Sequence, residues 1–137
     1  MRSLYVDTGV WLALLDSADP LHSKAKAIIE GHKIYPFLSS DQVLSESVTL
    51  LRRELGPEVA AGFGLDFLEG RIGQMIPVEK ADWLVGLRIL EQYKDQKIST
   101  ADATSFAIIS RFNIEKVASF DRHFKIVLTE REVVGPD

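Results

Sequence analysis

At 137 residues the chain is sized for one domain, residues 1–137, with a substantial core. Its 46% hydrophobic and 26% charged residues are the balance of a folded protein rather than a disordered one. The absence of cysteine excludes disulfides, zinc–thiolate sites and cysteine nucleophiles, and the net charge of −4 argues against a module that grips nucleic acid by charge alone. An acidic balance leaves room instead for carboxylates neutralised by cations. Met1-Arg2-Ser3 carries no signal-peptide pattern, and the apolar stretch 10–15 is far too short to span a bilayer, so a cytoplasmic protein with no membrane contact is expected.

The first element is a short apolar run, Leu4-Tyr5-Val6, ended by Asp7-Thr8-Gly9; a buried strand is expected, with Asp7 at its carboxyl end. Residues 10–16 are apolar nearly all round and read as a well-buried short helix. Asp19-Pro20 marks a turn into a helix over 22–30, closed by Gly31. Residues 34–38 read as a second strand, although Pro36 cannot donate to a ladder. Ser39, Ser40 and Asp41 are N-cap candidates for a helix over 42–55, whose Leu44, Val48, Leu51 and Leu55 share one face.

Gly56-Pro57 stops that helix. Residues 58–69 read as a loosely held helix because of Gly62 and Gly64, leaving Phe63, Phe67 and Leu68 partly available to a partner. A third strand is expected over 74–78, a long helix over 79–93 with Trp83, Leu84, Leu87 and Leu90 at helical spacing, and a helix over 101–112 capped by Ser99-Thr100. Residues 116–120 read as a fourth strand ending at Asp121, and 126–128 as a fifth, followed by a charged tail closing in Gly135-Pro136-Asp137. Alternating strands and helices predict a three-layer α/β/α sandwich around a mostly parallel sheet of about five strands.

Most of the acids suit solvated faces, caps or tails. Glu46 lies one helical turn from Val43 and Leu50, close to the buried side of its helix, where a carboxylate is costly unless something meets it. Asp102 sits on the first turn of its helix amid small residues; the bland reading is an acid favoured by the helix dipole. Asp7 and Asp121 each follow a strand, where a turn Asp is routine. Taken singly, each has an ordinary explanation. Jointly, two acids end strands at the carboxyl edge of the sheet and two stand near the starts of helices that begin there, so all four can point into one cleft.

In order, Val6-Asp7-Thr8, Glu46 within a helix, Ser99-Thr100-Ala101-Asp102-Ala103 and Ser119-Phe120-Asp121-Arg122-His123-Phe124 resemble the PIN-domain endoribonucleases. They look most like the small toxins of the VapC type, and the match runs over essentially the whole chain. The resemblance implies that Asp7, Glu46, Asp102 and Asp121 are catalytic and hold Mg²⁺ or Mn²⁺, with Thr8 supporting Asp7. It also implies an RNA substrate cut to a 5′-phosphate and a 3′-hydroxyl, a cognate antitoxin and a homodimer. One departure is Gly9, where the family usually carries Asn or Ser; it removes a polar side chain from the rim of the site.

The chemistry agrees with the resemblance. Four carboxylates about 5 Å apart repel by roughly 3 kcal/mol per pair at an effective dielectric near 20, so protons are retained or cations enter. An all-oxygen donor set selects Mg²⁺ or Mn²⁺ over zinc, and hydrolysis of a phosphodiester is the reaction such ions serve. Arg52, Arg53, Lys94, Lys97, Arg122 and Lys125 are candidates for the RNA path. A haloacid-dehalogenase site needs an Asp where Gly9 stands, and a phosphoacceptor receiver needs acids where Arg2 and Ser3 stand. The competing reading is a catalytically silent PIN fold that binds protein or RNA. Trp11 and Trp83 are possible contact residues, although core packing is the expected role of each.

Overall fold

Every second residue of the first strand must serve a different side of a sheet, and this alternation builds the molecule. In the computed structural model, which describes residues 2–136, strand β1 (Leu4–Val6) is fully buried. Met1 and Asp137, which open the N-terminal stretch and close the charged tail, lie outside the described residues. Leu4 and Val6 pack into one core with α1 (Thr8–Leu15), α2 (His22–Gly31), α3 (Asp41–Leu55) and α4 (Pro57–Leu68). Tyr5 enters the opposite core, made with Leu38, Ile76 and the buried face of α6 (Thr100–Arg111). Two cores on two faces make the expected three-layer α/β/α sandwich.

The sheet contains β2 (Phe37–Ser40), β3 (Gln74–Ile76), β4 (Lys116–Ala118) and β5 (Glu132–Val134) beside β1, in the order β3-β2-β1-β4-β5. All four pairings are parallel, with Val6 opposite Ala118 and Tyr5 opposite Leu38. Being central, β1 delivers its last residue to the middle of the carboxyl edge. The remaining helices are α5 (Lys80–Gln92) and α7 (His123–Val127). Among the described residues, no helix is long and apolar enough to cross a membrane.

Several elements differ from expectation. The second strand starts at Phe37 instead of residue 34: Ile34 is 86% exposed, and Pro36 contributes only its carbonyl, which accepts from Leu4 N at 2.9 Å. The third strand stops at Ile76, before Pro77. Residues 126–128 are not a strand. The Asp121 carboxylate accepts from His123 N at 2.9 Å in a tight turn, and the short helix α7 follows directly from His123. The fifth strand is Glu132–Val134, within the stretch read as a charged tail.

Helix α4 is not loosely held. Phe63 and Phe67 are buried against Trp11, each with its ring centroid 5.7 Å from the indole, and only Leu68 of the expected trio is exposed. Trp11 is therefore a core residue, whereas Trp83 is 36% exposed on a surface stripe of α5 with Leu84 and Leu87. Helix α5 is held by Ile89 against the second core and by polar contacts to α6. Buried Asp82 accepts two hydrogen bonds from Arg111 of α6, at 2.9 and 2.8 Å, and a third from Glu79 N in a capping box. Gly86 lets α5 approach α6 closely, since a Cβ there would lie 3.3 Å from the backbone of Ala103.

Candidate active site

Asp7 follows β1 directly and its backbone N–H donates to Ala118 O at 2.9 Å, so its position is set by the β1–β4 ladder. It is also the N-cap of α1, with the extended backbone of a capping residue. Its carboxylate nevertheless makes no capping hydrogen bond. Oδ2 instead accepts from the Ser119 hydroxyl at 2.9 Å, while Oδ1 is buried without a hydrogen-bond partner. The side chain of Thr8 is likewise buried with Oγ1 unpartnered. Behind Asp7, the Ser39 hydroxyl donates to Val6 O at 2.6 Å and accepts from the Trp11 indole N–H at 2.9 Å, which fixes the end of β1 against β2 and α1.

Helix α3 carries Glu46, half-buried one turn after Gln42. The Ser40 hydroxyl caps this helix by accepting from Val43 N at 3.0 Å, starting it at the carboxyl end of β2. Asp102 is half-buried on the first turn of α6, and its N–H donates to the Ser99 hydroxyl at 3.1 Å. The Thr104 hydroxyl of α6 is 3.1 Å from Gln42 Oε1, tying the two acid-bearing helices together. Asp121 N donates to Ser119 Oγ at 3.0 Å, and Asp121 Oδ1 lies 2.7 Å from His123 Nδ1 in an ion pair when that imidazole is protonated.

The four acids share one electrostatic environment. Burial pushes the Asp7 carboxyl up to about 6; the Ser119 hydroxyl and the Thr8 N–H oppose the rise, and the charges of Glu46 and Asp121 add to it. Burial also pushes Asp102 up to about 7, helped by the charges of Asp7, Asp121 and Glu46 and opposed by Ser99. Among the described residues, however, no three His, Cys, Asp or Glu side chains stand close enough together to form a metal-ligand group. The carboxylates feel one another without forming a closed coordination sphere. Like charges resist the final approach, which costs about 3 kcal/mol per ionised pair at 5 Å and an effective dielectric near 20.

The donor set nevertheless fits a hard divalent cation. All four side chains offer carboxylate oxygen, and the buried, unpartnered Asp7 Oδ1 is the kind of atom that a cation or its water satisfies. Gly9 is not required by crowding: a Cβ there would meet only the Phe120 ring, at 4.0 Å. Arg122 is exposed directly after Asp121. Two mostly apolar cavities, of about 570 Å³ beside Tyr35 and Phe67 and about 610 Å³ between α3 and α4, are lined by none of the four acids. Sequence reasoning missed Ser119 as a member of the site, as well as the Gln42–Thr104 tie. Only the Ser-Phe-Asp segment could have signalled the first, and nothing the second.

Several known proteins are similar to this chain in sequence and fold. The chain is 29% identical over 130 residues to the 23S rRNA-specific endonuclease VapC20 of Mycobacterium tuberculosis, covering 88% of this chain and 91% of that protein. It is 26% identical over 122 residues to Ribonuclease VapC26 of Mycobacterium tuberculosis, covering 88% and 89%. The crystal structure of VapC20, described as a sarcin-ricin loop cleaving toxin, superposes with a TM-score of 0.82 at 27% identity, over 90% of this chain and 94% of that one. FitAcB from Neisseria gonorrhoeae, at 17% identity, TM-score 0.69 and 95% coverage of both chains, shares the fold. With the PIN domain model matching residues 4–127, the chain belongs to the PIN domain family.

Proposed function

We propose that the chain is a single-domain, Mg²⁺- or Mn²⁺-dependent endoribonuclease, the toxin of a toxin–antitoxin pair. The observation that carries this reading is the buried Asp7 carboxylate with one unpartnered oxygen, electrostatically coupled to Glu46, Asp102 and Asp121. Similarity to the two mycobacterial ribonucleases supports it.

Asp7, Glu46, Asp102 and Asp121 would hold the divalent ions, which when bound lower the pKa of water and offset charge on the phosphodiester. The chain's own groups do the rest. Ser119 and the β1–β4 ladder fix Asp7. The Thr8 hydroxyl, buried and unpartnered next to Asp7 in the chain, is free to hold a water at that carboxylate. Glu46 or Asp102, the two half-buried acids carried by helices, would accept the proton of the attacking water. Exposed Arg122 offers an N–H fork to a phosphate of the RNA path.

Two exposed apolar patches support protein partners, an antitoxin and a second copy of the chain. One contains Leu65 and Leu68 of α4, the other Trp83, Leu84 and Leu87 of α5. A cytoplasmic site of action accords with an RNA target.

The deciding experiment incubates a long RNA with the purified protein in Mg²⁺, in Mn²⁺ and in chelator, beside Asp7→Asn and Asp102→Asn. Cleavage that needs metal and falls by roughly 100-fold or more in both folded variants is expected. Full activity in either variant refutes the assignment. RNA retained but uncut in either metal identifies a binding module instead.

A further inference from the structure

The Ser119 side chain is completely buried between the end of β4 and Asp121, and its hydroxyl both donates and accepts. A serine hydroxyl has one proton to give and lone pairs to receive. The proton goes to Asp7 Oδ2 at 2.9 Å, and the oxygen receives Asp121 N–H at 3.0 Å. One atom thus joins two of the four acids, which are otherwise carried by different strands of the sheet. Its other consequence falls on Asp7 itself: Oδ2 is engaged, so Oδ1 remains the free, buried acceptor.

The backbone of Ser119 is held as firmly as its side chain. Its N–H donates to Val134 O at 3.0 Å, at the end of β5. Directly beyond, Gly135 has φ +126, and a Cβ at that position would lie 2.1 Å from Ser119 O, so only glycine lets the chain pass so close. The edge strand β5 therefore clamps Ser119 from the side opposite Asp7.

We infer that Ser119 is a positioning residue that ties off one oxygen of Asp7 and presents the other to a divalent cation, while holding Asp121 at a fixed distance. This rests on the metal-dependent reading above. The alternative role is purely structural, a hydroxyl that merely satisfies a buried acid. The two differ in what metal affinity does.

The test titrates Mn²⁺ into the metal-free full chain by calorimetry, for wild type, Ser119→Ala, Ser119→Cys and Ser119→Thr, with urea unfolding in chelator as the measure of fold. Loss of an outer-shell hydroxyl should weaken Mn²⁺ binding by about 10- to 100-fold in Ser119→Ala, with RNA cleavage falling in parallel. Should that variant not fold, Ser119→Cys, of similar volume but with a feeble donor, must show a loss in the same range. Ser119→Thr, which keeps the hydroxyl, should bind within about threefold of wild type. Unchanged Mn²⁺ affinity in folded Ser119→Ala or Ser119→Cys overturns the positioning role and leaves the nuclease reading standing. A wild-type chain that binds no Mn²⁺ and cuts no RNA overturns both.

Discussion

Replacing Asp7 by Asn should stabilise the metal-free protein while destroying its activity. Burial raises the Asp7 carboxyl from 3.8 to about 6, so keeping it ionised in the folded state is unfavourable. A shift of about two units corresponds to about 3 kcal/mol. A folded-state value above the unfolded one contributes stability below pH 4, which is lost as pH rises from about 4 through 6. At pH 8 the metal-free wild type therefore carries the whole cost. Asn keeps an acceptor for the Ser119 hydroxyl but a weaker one, which trims the expected gain to about 2 kcal/mol. For a chain of this length that is about 7 °C in Tm.

The assay is thermal or urea unfolding in chelator at pH 8 and at pH 4. The advantage of Asp7→Asn should be about 2 kcal/mol at pH 8 and fall below about 1 kcal/mol by pH 4. Adding excess Mg²⁺ at pH 8 should reverse the order, because the ion stabilises only the chain that binds it. An Asp7→Asn protein no more stable than wild type at pH 8, or equally favoured at both pH values, would refute the reasoning.

Two further substitutions test other parts of the structure. Arg111→Ala leaves the nearly inaccessible Asp82 carboxylate without its two guanidinium hydrogen bonds, and urea denaturation should show a loss of about 3 kcal/mol or more. A loss below about 1 kcal/mol would mean that the pair contributes no more than a surface contact. Gly9→Ser places a side chain at the first turn of α1 where only the Phe120 ring is near; stability should rise by about 0.5 kcal/mol, with any effect on cleavage confined to KM. Destabilisation on thermal unfolding would show that the space at Gly9 is smaller than its surroundings indicate.

The parts of the site that were legible in the sequence depend on local chemistry. Leu4-Tyr5-Val6 could be read as a strand because it is an apolar run cut off by Asp7 and Gly9, and Ser40 and Ser99 announced helix starts that the structure places at Asp41 and Thr100. The illegible parts depend on contacts between distant residues. Ser119 is an ordinary serine until it meets Asp7, 112 positions away. The last strand was misplaced because Ile126-Val127-Leu128 has the stronger β-character, yet 126 and 127 fall in the short helix that follows the Asp121 turn, while Glu132-Val133-Val134 gains its identity only beside β4. Trp83 has the spacing of a core residue on α5, but Asp82 and Gly86 take the face that packs on α6.

The shared ownership of β1 by two cores has a mechanical consequence. Leu4 and Val6 belong to the half built by the first four helices, and Tyr5 belongs to the half built by α6 and α7. A slip of one residue would exchange these memberships and turn Asp7 away from Ser119. Neither half can loosen without releasing the strand that carries the first acid. Denaturant should consequently extinguish the cleft and the tertiary structure in one transition, with no range of concentration in which a folded but misaligned chain accumulates.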